Sequence, residues 1–135
     1  MTSLYCKSED DIECVFTPFS IIHLLSGAYL VIIFKYIGYS DINSFLLMNI
    51  VHGLYELKDF YIMYHTDMGK KGTVFHNTFI NSLGDQLSAI VGAVVILYVY
   101  NNKQITRDIF IKSTIYITII SIFAWMNAFG ALKIG

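Results

Sequence analysis

The sequence predicts an all-α fold: a polytopic membrane protein built as an antiparallel bundle of four transmembrane helices. Three observations lead there. The chain of 135 residues is 56% hydrophobic and only 14% charged, where a soluble domain carries roughly 25% charged residues, and its mean hydropathy is +0.59. The charges are also unevenly placed. Residues 15–34 and 113–132 hold no Asp, Glu, Lys or Arg, and residues 72–102 hold Asp85 alone. Spanning a bilayer takes about 20 apolar residues in helix, and all three stretches are long enough. The third observation is what polar residues remain inside these stretches: they fall at helical spacing, as stripes.

Taken in order, residues 1–15 read as an acidic tail carrying Lys7, Glu9, Asp10, Asp11 and Glu13. It lacks the basic region of a signal peptide, so the first helix is expected to be retained. Cys6 and Cys14 bracket this segment and are expected as two free thiols, the alternative being a short disulfide if that side is oxidising. Residues 16–135 form one transmembrane domain. Its first helix spans about 18–36, with Thr17 as N-cap and Pro18 at the first helical position, where a missing N–H costs nothing. The second spans about 42–64, capped by Asp41 or Asn43. It is interrupted by Glu56, Lys58 and Asp59, yet its apolar residues recur with helical period. Residues 66–72 read as a turn. The third helix spans about 73–100 and the fourth about 109–132. Tyr residues near the helix ends form an interfacial belt. With a net charge of −1, a nucleic-acid partner has no electrostatic footprint. The expected partners are membrane lipids and a second copy of the chain.

Ionisable residues inside a bilayer are costly, by about 2.5–3.5 kcal/mol each on insertion scales, so they face the bundle and mark function. On the second helix, His52, Glu56 and Asp59 lie within about 60° of one face, and Asn49 extends the strip. On the third, Asn77, Asn81, Asp85 and Ser88 share a face with Gly84 and Gly92, and these small residues admit a close neighbour. On the first, Ser20, His23 and Gly27 do the same. Stripes of this kind are stable in lipid only when they face one another. The fourth helix differs: Thr114, Thr118, Ser121 and Trp125 read as a packing seam.

The candidate catalytic residues are therefore His23, His52, Glu56 and Asp85, supported by Ser20, Asn77, Asn81 and Ser88. A divalent cation is the candidate cofactor, held by the oxygens of Glu56, Asp59 and Asp85, with His23 or His52 as general base. No glycine-rich phosphate loop is present, and His52 and Glu56 lack the second His of a zincin helix. The leading function is an intramembrane site that binds or modifies a lipid headgroup. The alternatives are a proton or cation conduit and a non-catalytic structural subunit.

The run from Pro18 through His23 and Gly27 to Tyr29, then Tyr55-Glu56, then Asn81-Ser82-Leu83-Gly84-Asp85 resembles an uncharacterised family of small bacterial multi-pass inner-membrane proteins. The motif order, a His helix, a Glu helix and an Asn-Ser-x-x-Asp helix, is similar to that of VanZ-like membrane proteins. The likeness covers residues 16–95. It departs at Ser26, where the family carries a second His, at Leu57-Lys58-Asp59 and at His76-Asn77-Thr78. The resemblance implies the architecture and the location of the site.

Overall fold

The computed structural model describes residues 3–5, 14–65 and 78–128. Among these the chain forms four helices: α1 (Ser20–Ile37), α2 (Asp41–His65), α3 (Phe79–Val99) and α4 (Arg107–Ala128). Two short strands precede them, β1 (Ser3–Tyr5) and β2 (Cys14–Phe16). The strands pair in parallel, Ser3 opposite Cys14 and Tyr5 opposite Phe16. The tail is thus not structureless throughout, and its second strand is part of the domain. Cys14 is buried and disulfide-bonded, which corrects the expectation of free thiols there. Cys6, the other cysteine of the chain, lies outside the described residues, as do the acidic run 9–13, the turn 66–72 and residues 73–77 and 129–132. Thr78 is extended at φ −122° and ψ 162°, so the third helix starts at Phe79 and not at 73 as its spacing predicts.

The helix ends follow local hydrogen bonding. Thr17 does not cap α1 with its hydroxyl. Instead Ser20 Oγ accepts the Thr17 N–H at 3.0 Å, and the Ser20 N–H donates to the Thr17 carbonyl at 3.0 Å. At the other end Gly38 adopts φ 113°. Its N–H donates to the carbonyls of Phe34 and Lys35, and the Tyr39 N–H donates to Phe34. This is a left-handed helix stop that a residue with a Cβ would strain. Ser40, rather than Asp41 or Asn43, caps α2, with Oγ accepting the Asn43 N–H at 3.2 Å. Thr78 caps α3 through the Asn81 N–H at 3.2 Å, and Thr106 caps α4 through the Ile109 N–H at 3.4 Å.

α1, α3 and α4 are long and apolar enough to cross a membrane. α2 is the longest helix at 25 residues, but Asp41, Glu56, Lys58 and Asp59 keep it out of that group. The outward faces are apolar: Leu54, Val91, Tyr98 and Ile119 are all exposed, a surface suited to lipid rather than water.

α1 and α3 form the tightest pair, and they run parallel. Ser20 meets Asp85, Leu24 and Ala28 meet Gly92, and Lys35 meets Tyr100. A Cβ on Gly27 would overlap the Ala89 carbonyl, and one on Gly92 would overlap the Leu24 carbonyl. The two backbones touch because both glycines lack that atom, the close approach expected of small-residue ladders in lipid. Gly84 has a different partner from the one its spacing suggested: its Cα faces the Val15 carbonyl of β2, not a helix. α2 runs antiparallel to α1 and α3. Buried between the three helices are Val31, Met48, Ala89 and Ala93.

Among the described residues α4 packs chiefly on α1 and buries no residue fully. Phe110 stacks on Tyr36 with centroids 4.4 Å apart and on Tyr29 at 6.2 Å. Tyr29 Oη and Thr114 Oγ1 share a hydrogen bond of 2.8 Å. Further along, the two helices part. Thr118, Ser121 and Trp125 face Ile22, Ser26 and Tyr29 across a groove of about 720 Å³. The expected seam is closed at Thr114 and open beyond it.

Candidate functional site

Two polar clusters lie at opposite ends of the α1–α3 pair. The one nearer the β-strands is built from the sequence-predicted residues. His23 is three residues into α1, hence about 5 Å along its axis. His23 Nδ1 lies 3.0 Å from His52 Nε2 of α2 and 3.4 Å from Glu56 Oε1. His52 Nε2 lies 3.9 Å from the same Glu56 oxygen, one helical turn away. On the far side of its ring, His23 Nε2 lies 3.5 Å from Asp85 Oδ2 of α3. His52, Glu56 and Asp85 are 3%, 6% and 4% exposed, so three helices bring these groups together away from solvent. Tyr55 places its ring near both imidazoles, at 6.3 Å from each.

Two hydrogen-bonded chains hold the imidazoles, and each starts at the backbone. In the first, Asn49 Nδ2 donates to the Phe45 carbonyl at 2.9 Å, an acceptor only. Asn49 Oδ1 therefore accepts from Gln86 Nε2 at 2.9 Å. Gln86 Oε1 is then the atom 2.7 Å from His52 Nδ1. In the second, the Thr17 N–H donates to Ser20 Oγ, and Ser20 Oγ–H donates to Asp85 Oδ1 at 3.5 Å. Asp85 is thereby an acceptor, and its second oxygen faces His23 Nε2. Both chains place an acceptor outside the cluster and so direct a ring N–H outward, a tautomer assignment made from partners.

The other predicted residues are placed as follows. Asn81 Nδ2 donates to the Cys14 carbonyl at 3.4 Å, fastening β2 to α3. Ser88 Oγ–H returns to the Gly84 carbonyl at 2.9 Å within its own helix. Asn77 lies outside the described residues. Asp59 is not brought together with Glu56: its Oδ1 pairs with Lys58 Nζ at 2.9 Å, and that ammonium also sits 3.8 Å above the Tyr55 ring. Asp85 meets His23 at Nε2, the ring nitrogen other than the one nearest Glu56. Among the described residues, those offering ligand atoms close enough to share one ion are His23, His52 and Glu56, all within 4.8 Å. The carboxylate triad expected from spacing is replaced by a mixed nitrogen and oxygen set.

Gln86 was invisible to the stripe reading. It follows Asp85 by one residue, about 100° around the helix, and so reaches α2 while Asp85 reaches α1. Its signal in the sequence is a second amide, after Asn81, within a charge-poor helix.

The second cluster, some 18 Å along α1 from His23 by helical rise, is centred on Lys35. Lys35 lies near the C-terminal end of α1 and is 3% exposed. Its Nζ donates to Asp41 Oδ1 and, at 2.8 Å, to the Tyr100 carbonyl. Asp41 Oδ2 accepts the Asn102 N–H at 2.9 Å. Those contacts hold the Asp41 carboxyl below the usual carboxylate range, the Asn102 N–H first and the Lys35 ammonium second. One lysine and one aspartate thus tie the ends of α1, α2 and α3. No protein-family model, curated protein or solved structure matches this chain.

Proposed function

We propose that this is a multi-pass membrane protein whose α1, α2 and α3 helices hold a polar site at headgroup depth, and that the site binds or modifies a lipid headgroup. The observation that carries this reading is the gathering of His23, His52, Glu56 and Asp85 at one level, near the start of α1. A conduit needs polar groups at successive depths. Here the space between this level and Lys35 is filled by buried Val31, Ile32, Met48, Ala89 and Ala93, which speaks for a terminal site. The α1–α4 groove runs beside the same stretch of α1, and its wall of Ile22, Ile117, Ile122 and Met126 suits an acyl chain. In this reading α2 crosses with the other helices, its charged strip sheltered by α1 and α3. The order of His, Glu and Asn-Ser-x-x-Asp helices, similar to that of VanZ-like membrane proteins, supports the same placement.

Native mass spectrometry in mild detergent tests it. Phospholipid is expected to stay with the wild-type protein and to be lost from Asp85→Asn and Glu56→Gln variants that keep their helical circular dichroism. Equal lipid retention by all three proteins would defeat the headgroup site. Proton flux through wild-type proteoliposomes, abolished by the same substitutions, would establish the conduit in its place.

A further inference from the structure

We infer that His23 Nδ1, His52 Nε2 and Glu56 Oε1 form a binding site for a transition-metal dication of the zinc type. The inference goes beyond the headgroup reading and stands whether or not a lipid binds.

The first argument is tautomeric. The Phe45–Asn49–Gln86 chain ends in an acceptor 2.7 Å from His52 Nδ1, so that nitrogen carries the hydrogen. The Thr17–Ser20–Asp85 chain ends in a carboxylate facing His23 Nε2, so the hydrogen of that ring is there. In the neutral rings the remaining nitrogens, His23 Nδ1 and His52 Nε2, are lone pairs, and they face each other at 3.0 Å. A carboxylate oxygen completes the triangle at 3.4 and 3.9 Å. Facing lone pairs at this distance are held together by a positive charge between them, a shared proton or a metal ion, and the edge lengths and outer partners favour the metal.

The second argument is metric. Zinc binds imidazole nitrogen at about 2.0–2.1 Å and carboxylate oxygen at about 2.0–2.2 Å, tetrahedrally. Two such ligands are then about 3.3 Å apart. The three edges observed, 3.0, 3.4 and 3.9 Å, bracket that value, so small side-chain adjustments would seat the ion. Mixed imidazole and carboxylate ligation suits zinc and its neighbours, whereas magnesium and calcium take oxygen sets.

The third argument lies behind the ligands. Metal-bound histidines donate their other N–H to a carboxylate or carbonyl, which orients the ring and raises its basicity. Asp85 stands in that position for His23, and the Gln86 amide carbonyl for His52. Three protein ligands leave a tetrahedral ion one position for water, the arrangement of reactive rather than purely structural zinc.

The test is cobalt and zinc binding to the detergent-purified full chain after chelator treatment. Wild-type protein is expected to take up one ion per chain, and with cobalt to show the intense visible absorption of tetrahedral coordination without a thiolate charge-transfer band. Glu56→Gln and His52→Ala should lose binding. Gln86→Leu, which leaves the three ligands in place, should weaken it about 10–100-fold. A folded wild-type protein that takes up neither metal would overturn the site, as would a thiolate band or uptake unchanged in Glu56→Gln. The wild-type spectrum decides the matter even if a variant fails to fold. Zinc bound with no lipid retained would leave the metal site and remove the headgroup reading; lipid retained without metal would do the reverse.

Discussion

Gln86 Oε1 lies 2.7 Å from His52 Nδ1, and this contact between α3 and α2 decides which nitrogen of His52 faces His23. The orientation is inherited from the Phe45 carbonyl through Asn49, so a backbone atom nearly two turns from His52 sets the chemistry of an imidazole.

Gln86→Leu removes the acceptor and strands a buried ring N–H, which costs about 1–3 kcal/mol. We expect a loss of thermal stability of that order. The ring-nitrogen chemical shifts of His52 should move toward a mixture of tautomers in the variant. Unchanged shifts would show that Gln86 does not orient the ring.

The glycines separate into two kinds. Gly92→Leu places side-chain atoms where the Leu24 carbonyl lies and should abolish the α1–α3 contact, with loss of folded protein in detergent. Gly27→Leu, against the Ala89 carbonyl, should do the same. Gly53→Ala meets nothing within 4 Å and should stabilise α2 by up to about 1 kcal/mol through helix propensity. Melting followed by circular dichroism ranks all three.

The Lys35–Asp41 tie should show in the pH dependence of stability. Asp41 has a folded-state pKa depressed by the Asn102 N–H and Lys35, so its contribution is complete above the unfolded value of about 3.9. It is lost as pH falls through the lower folded value. Between about pH 6 and about pH 3, wild-type protein should lose more stability than Asp41→Asn, the difference between the two curves being the contribution of Asp41. At neutral pH, Asp41→Ala leaves the buried Lys35 ammonium with the Tyr100 carbonyl alone. That should cost about 3 kcal/mol.

α4 should be separable from the rest. Its hold on α1 rests on the Phe110 stacks with Tyr36 and Tyr29 and on the Tyr29–Thr114 hydrogen bond. Phe110→Ala removes two aromatic pairs worth about 0.5–1.5 kcal/mol each. Hydrogen exchange should rise along α4 while α1 and α3 stay protected. Equal exchange in all helices would mean that α4 is integral to the bundle.

Hydropathy and spacing by themselves determined the helical class and the faces that carry His23, His52, Glu56 and Asp85. They could do so because lipid leaves a helix little choice: apolar length and the 3.6-residue period are both written in consecutive residues. The grouping of side chains was another matter. Glu56 and Asp59 share a face by period, yet Asp59 lies almost a turn further along and pairs with Lys58. Period gives an angle, and a site also needs a common depth. That depth came from the parallel seating of α1 on α3 through Gly27 and Gly92, which brings Asp85 level with Ser20 and His23. The burial of Lys35, the strand at Cys14–Phe16 and the role of Gln86 likewise depended on neighbours in other elements: Asp41 and Tyr100, Ser3–Tyr5 and Gly84, and Asn49 with His52. A residue's own helix dictates the direction its side chain leaves the axis. What waits there is settled by how closely, and in which register, the next helix packs.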